Sequence, residues 1–347
     1  MIDVAVIGVG GWGLNLARNY YEIPTARLKY ICDLDQEKLD KVEHKYPGSL
    51  MTTSYGDVLG DQGLSAVVVA TTAASHYELT KAALEADKDV YVEKPFVLRV
   101  DQAEELTALA RDRRRILMVG HLLVYHPVIL KLKELIWSGE LGEIYYVYSQ
   151  RLNLGTVRED ENALWNFAPH DISSILFLLD KEPVDVTARG ESYLRAGTED
   201  VVFLSLSFDD RLMANIHVSW LDPHKVRKLT IVGSKKMAVF DDLESTEKLR
   251  IYDKGADIRT EYETYAEYVG LRVGDITIPY VKVREPLRDE CLHFLECIEQ
   301  RKRPRSDGAD GLRIVKVLEA ADLSLKNNGE PVLVKKEADR FKIVLEG

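Results

Sequence analysis

The sequence predicts an α/β protein in two parts: a doubly wound parallel sheet, then an α+β domain with a large, mostly antiparallel open sheet. Three observations predict it. A glycine-rich turn joins an N-terminal apolar run to a helical stretch; Val/Ile runs then alternate with helical segments to about residue 120; beyond residue 180, short apolar runs are separated only by turn residues. At 347 residues the chain is long enough for two domains, each with its own core.

Residues 4–7 form a short apolar strand running into Gly8-Val9-Gly10-Gly11-Trp12-Gly13, after which 14–21 is helical in composition and Pro24 ends it. Gly8 permits the tight turn, Gly10 lets the backbone approach a pyrophosphate, and Gly13 lets helix and strand pack closely. The helix N-terminus then offers free N–H groups to the anion. A second strand, 28–32, ends at Asp33, about 20 residues past Gly13, where an acid reaches the adenosine ribose hydroxyls. An acid there repels a 2′-phosphate, so NAD is expected over NADP; the other reading of Asp33 is a loop acid turning with Asp35.

The alternation continues with strands at 66–70, 90–92 and 116–119 and helices at 76–86 and 102–112. Such runs between helices indicate a parallel sheet covered on both faces. Ligands to such sheets lie beyond the carboxyl ends of the strands. The expected cofactor residues are therefore Gly8, Gly10, Gly11, Trp12, Gly13, Asp33, Thr71, Thr72, His76, Glu93 and Lys94. The boundary is set at 1–121 for this Rossmann domain and 122–347 for a substrate-binding and oligomerisation domain.

In the second part, Pro169 suits the first turn of a helix, with Ile172, Ile175, Leu176 and Leu179 at helical spacing behind it. That places His170 at a helix N-terminus, which lowers an imidazole pKa and keeps it neutral. Strands at 184–188, 201–208, 212–220, 228–232 and 237–240 are joined by turns such as Asp209-Asp210 and Gly233-Ser234, which implies antiparallel hairpins. From Pro286 the chain is helical again, with Cys291, Phe294, Leu295 and Ile298 on one stripe, a loop at 304–310 and a last helix at 311–325.

The net charge of −11 argues against a nucleic-acid partner, since phosphate-backbone affinity depends on clustered Lys and Arg. Three cysteines, Cys32, Cys291 and Cys297, lack metal or disulfide spacing, and core filling is their expected role. No His/Asp/Glu set has metal spacing, so no metal is expected. No run reaches the roughly 18 apolar residues of a spanning helix. Nor does the N-terminus read as a signal peptide, so the expectation is a cytoplasmic protein without a membrane partner.

The glycine turn, Asp33, Glu93-Lys94-Pro95 and the segment Gly120-His121-Leu122-Leu123-Val124-Tyr125-His126-Pro127 together resemble the Gfo/Idh/MocA family of oxidoreductases. The resemblance runs from Ile2 to about Val334. It implies that Lys94 is catalytic, that its peptide to Pro95 is often cis, and that a histidine of the second domain, carried here by His170, is catalytic too. Many family members have an aspartate four residues before that histidine; Asn166 stands there, and an amide can orient a hydroxyl but not take its proton. His170 is thus the expected general base, with Lys94 stabilising the developing alkoxide and Asn166 orienting the sugar.

Within the family, residues 10–19, Arg151-Leu152-Asn153-Leu154-Gly155 with Arg158 and Asn162, and the run from Trp165 to Ser173 resemble the branch that oxidises UDP-N-acetylglucosamine or its uronic acid at the 3-hydroxyl. The resemblance implies a 3-keto sugar made for amination, in surface polysaccharide or lipid A synthesis. Expected substrate residues are Tyr125, Arg151, Asn153, Arg158, Asn162, Trp165, Asn166 and His170. Arg151 and Arg158 suit a diphosphate or carboxylate, or else ion pairs with Glu159, Asp160 or Glu161. His121 and His126 either line the pocket or cap a helix. The resemblance also implies a homodimer or homotetramer through the second sheet, and helices after about residue 286 that pack back toward the first domain. Rival readings are a dehydrogenase of a free polyol such as inositol, and a non-catalytic NAD-binding regulator.

Overall fold

The structure, a computed structural model, describes residues 1–155, 161–258, 269–282 and 284–334; Arg158 lies outside the described residues. The first part alternates as β1 (Ile2–Ile7), α1 (Gly11–Glu22), β2 (Ala26–Cys32), α2 (Gln36–Glu43), β3 (Leu50–Thr52), α3 (Tyr55–Gly60), β4 (Ala66–Val69), α4 (Ala73–Glu85), β5 (Asp89–Glu93), α5 (Val100–Asp112) and β6 (Leu117–Gly120). The six strands form one parallel sheet in the order β3-β2-β1-β4-β5-β6. The order reverses direction between β1 and β4, the switch point beside which such sheets bind ligands. Every residue of β4 and β5 is buried, which is why β4 and the centre of β5, Val90 to Val92, read as apolar runs and not as alternation. Full burial of each Val contributes roughly 1.5–3 kcal/mol of hydrophobic stabilisation.

The remaining elements are α6 (Pro127–Trp137), β7 (Ile144–Leu152), α7 (Ala163–Leu179), β8 (Asp185–Glu191), β9 (Val201–Ser207), β10 (Met213–Ser219), β11 (Val226–Gly233), β12 (Met237–Asp241), β13 (Leu249–Ile258), β14 (Val269–Thr277), α8 (Pro286–Gln300), α9 (Gly308–Lys326) and β15 (Val332–Leu333). Nine strands make the second sheet, ordered β14-β13-β12-β11-β7-β10-β9-β8-β15. All neighbours are antiparallel except β7 and β10. The α/β class, the parallel sheet and the mostly antiparallel one are as the sequence predicts. Along β9 burial alternates, with Val202, Leu204 and Leu206 inside and Phe203 exposed, the period of a sheet covered on one face. α7 packs against β7, β9 and β10.

The chain divides into two compact units, Met1–Tyr125 with Arg284–Lys316, and His126–Val283 with Val317–Gly347. The boundary read from sequence at 121/122 falls four residues short of this division, and α8 lies in the first unit. Residues 122–125 belong to that unit too, where the Tyr125 hydroxyl meets Ser306 Oγ at 3.1 Å and Val119 N–H donates to the Ser306 carbonyl at 2.8 Å.

Pro169 does not open its helix. α7 begins at Ala163, and Asn162 caps it by accepting from the Trp165 N–H at 3.1 Å, so Pro169 and His170 lie two turns inside. A cap residue several positions earlier outweighs the first-turn preference of proline. The expectation that a helix N-terminus neutralises His170 fails with it, since that field falls off within the first turn.

Candidate active site

In the first unit the glycine turn is shaped for close approach. Gly8 has φ +93°, and a Cβ there would lie 2.7 Å from the Ala70 carbonyl oxygen. At Gly13 a Cβ would collide with the Gly8 carbonyl, whereas at Gly10 it would meet nothing. Gly10 caps α1 without a side chain, so the first amides of the helix, from Gly11 onward, have no side-chain acceptor from the cap. Glycines and helix amides together make a cradle for a pyrophosphate. Asp33 is fixed beside it, with Oδ2 accepting from Val9 N–H at 2.8 Å and Oδ1 from Asp35 N–H at 3.0 Å. Its carboxylate retains lone pairs for ribose hydroxyls, so these residues fit a dinucleotide.

Thr71 and Thr72 follow β4. Thr71 Oγ1 accepts from Ser75 Oγ at 2.7 Å, and Thr72 is the exposed cap of α4. Glu93 ends β5, buried, and its Oε1 accepts from the Trp12 indole N–H at 2.7 Å and the Tyr91 hydroxyl at 2.9 Å. Its Oε2 accepts from Lys94 N–H at 3.2 Å. The half-buried Lys94 follows, and its peptide to Pro95 is cis. The Lys94 charge attracts Glu93 and repels protons from His121, whose fully buried imidazole is pushed down to about 3, mainly by burial.

In the second unit, α7 carries Asn166 and His170 one turn apart on one face. Asn166 is buried; its Oδ1 accepts from the Trp220 indole N–H at 3.3 Å, and its Nδ2 donates to Glu161 Oε1 at 2.5 Å. His170 is half-buried, as is Trp165. Beside them Arg151 forms a buried bidentate pair with Asp171, Nε to Oδ2 at 2.7 Å and a terminal nitrogen to Oδ1 at 3.3 Å. Ser149 Oγ also donates to Asp171, at 2.5 Å.

One family model, the oxidoreductase family with an NAD-binding Rossmann fold, matches residues 2–121, and a second, the GFO/IDH/MocA C-terminal domain, matches 129–239. The chain belongs to the Gfo/Idh/MocA family. As a family member it is an NAD-dependent oxidoreductase. Among its relatives, UDP-N-acetylglucosamine 3-dehydrogenase of Acidithiobacillus ferrooxidans is 27% identical, over 89% of this chain and 93% of that one. Its solved structure superposes with a TM-score of 0.78 at 25% identity, covering 94% and 98% of the two chains. The scyllo-inositol 2-dehydrogenase (NAD(+)) of Bacillus subtilis is 23% identical, over 95% and 96%.

Several residues read from sequence as ligand contacts are engaged elsewhere in this Gfo/Idh/MocA chain. His76 is 1% exposed, its two ring nitrogens facing the carbonyls of Pro95, at 2.8 Å, and Thr71, at 3.2 Å, so it braces the turn after Lys94. Tyr125 is 1% exposed and packed under the Arg305 guanidinium at 4.8 Å, a core position. Asn162 spends its oxygen on the α7 cap and its amide on Glu199 at 2.6 Å. Arg151 is paired with Asp171. His126 caps α6, accepting from Val128 N–H at 3.1 Å. Asn153 is half-buried just past β7, its N–H bonded to the Ser219 carbonyl at 3.1 Å.

Sequence reasoning misses Asp171 and Glu161 as partners in this cluster. Asp171 directly follows His170 and lies 20 residues from Arg151, a separation that carries no local signal. The Trp12 link to Glu93, across 81 residues, is equally invisible.

Proposed function

We propose that the chain oxidises a secondary hydroxyl of a sugar with NAD, the preferred substrate being the 3-hydroxyl of a UDP-N-acetylglucosamine-type nucleotide sugar and the product its 3-keto form, ready for amination. The observation that carries the chemistry is Lys94, set at the carboxyl end of β5, one strand from the switch point, by a buried carboxylate and a braced turn. NAD held by the Gly8 to Gly13 turn and Asp33 would supply the acceptor for the carbinol hydride. The Lys94 ammonium donates to the substrate oxygen and steadies the alkoxide, and His170 accepts the hydroxyl proton. Asn166, held by Trp220, orients the sugar. The nucleotide-sugar assignment is supported by the Acidithiobacillus relative, matched over nearly its whole length. We place the enzyme in the cytoplasm as a homodimer or homotetramer.

A second reading, oxidation of an uncharged polyol such as an inositol, is favoured by Arg151, whose charge is already met inside the protein. Reduction of NAD, followed by absorbance with UDP-N-acetylglucosamine, its uronic acid and myo-inositol, decides between them. Turnover with inositol alone would reverse the order of the two. Lys94→Met is expected to bind NAD as before and to lose at least about 100-fold in kcat, the scale of one transition-state electrostatic group. Full turnover in that variant leaves the mechanism without its central residue.

A further inference from the structure

We propose that Trp12 is a positioning residue: its indole N–H holds the Glu93 carboxylate, and Glu93 fixes the peptide that carries Lys94, so that the glycine turn and the lysine are coupled. The inference rests on the reading of Lys94 as the group that acts on substrate. Trp12 belongs to the first turn of α1, within the dinucleotide cradle, and is 42% exposed. Its N–H nevertheless reaches inward to a carboxylate that is 8% exposed and 81 residues away. Space for this arrangement depends on Gly120, where a Cβ would stand 2.7 Å from the Tyr91 hydroxyl and 2.9 Å from Glu93 Oε1.

A buried carboxylate stays ionised only when donors and charge replace its lost water. Glu93 has three such donors: Trp12 from α1, Tyr91 from its own strand and the Lys94 amide. Burial pushes the Glu93 carboxyl up, and these donors and the Lys94 charge pull it back toward the ionised form. Tyr20 on α1 and Cys291 on α8 face the same cluster, both held protonated by burial. Glu290 on α8 is fully buried and faces the Tyr91 hydroxyl. Burial and the Glu93 charge push its carboxyl well up, so Glu290 is the readier of the two acids to keep a proton. Without the indole donor Glu93 would protonate at higher pH and release its hold on the Lys94 peptide.

The test is the pH dependence of kcat between about pH 5 and pH 8 for the wild type, Trp12→Phe, Glu93→Gln and Lys94→Met, with NAD affinity measured by titration. Phe keeps the ring over the turn and removes only the donor. The expected result for Trp12→Phe is a KM for NAD within about threefold of wild type and an acid limb of kcat moved up by about one pH unit, the shift that one charge-assisted hydrogen bond supports. Glu93→Gln should lower kcat throughout and erase that limb. If Trp12 only covers the turn, Trp12→Phe will leave both the KM for NAD and the limb unmoved, which overturns the inference. An inactive Lys94→Met beside an unmoved Trp12→Phe limb removes the role of Trp12 alone; a fully active Lys94→Met removes the reading of the site and the inference with it. Should Trp12→Phe fail to bind NAD, Glu93→Gln decides, and a limb preserved there overturns the proposal.

Discussion

At the scale of single residues, burial sets what the ionisable groups can do. His121 is 2% exposed with neither ring nitrogen hydrogen-bonded, and its pKa is pushed down from 6.5 to about 3. Between those values the unfolded chain binds a proton that the folded chain does not, so His121 costs stability progressively as pH falls from about 6.5 to 3. His121→Phe should therefore flatten the decline of Tm between pH 7 and pH 5, as read by calorimetry; an equally steep decline would refute the assignment. Arg151 and Asp171 give the opposite case, two buried charges that satisfy each other. Asp171→Ala leaves the guanidinium uncompensated and should cost roughly 3–5 kcal/mol in urea unfolding. Arg151→Ala should likewise unfold earlier; unchanged stability with a raised substrate KM would restore Arg151 as a substrate contact. Here the sequence is partly misleading. An arginine in a polar string looks the same whether its partner is a phosphate or an aspartate 20 residues on.

Elements are more legible than residues, because their signals are local. The runs of β1, β4, β5 and β6 are buried on both faces, and an unbroken apolar stretch of this length between helical segments is the mark of a central parallel strand. The glycine turn is readable for the same reason: Gly8 and Gly13 stand where a Cβ has no room. β3, an edge strand of three residues, carries no alternation long enough to find. α7 shows the failure most clearly. The sequence points to a start at Pro169, whereas the cap at Asn162 sets it and Pro169 lies inside the helix. Removing that cap tests the assignment. Asn162→Ala should destabilise the second unit by about 1 kcal/mol without changing substrate preference, as measured by thermal unfolding and kinetics. A shift of KM at constant Tm would instead return Asn162 to substrate recognition.

On the scale of the molecule, the second sheet is covered on one face and bare aromatic on part of the other. α7 covers the side on which Val202, Leu204, Ala214, Ile216 and Val218 lie. The opposite side presents Tyr146, Tyr148, Phe203 and Met213, each at least 39% exposed, with Phe203 stacked on His217 at 4.2 Å across β9 and β10. Soluble monomers rarely keep a contiguous apolar patch of this kind in water. A second copy of the chain, meeting the same face by two-fold symmetry, would bury it on both sides at once. Light scattering is accordingly expected to give two or four times the chain mass. Phe203→Asp, which puts a charge at the centre of the patch while leaving the covered face untouched, should halve that mass at micromolar concentration with the circular dichroism unchanged. A wild type that is monomeric throughout, or an assembly indifferent to Asp at 203, would show that the exposed aromatics serve some other contact.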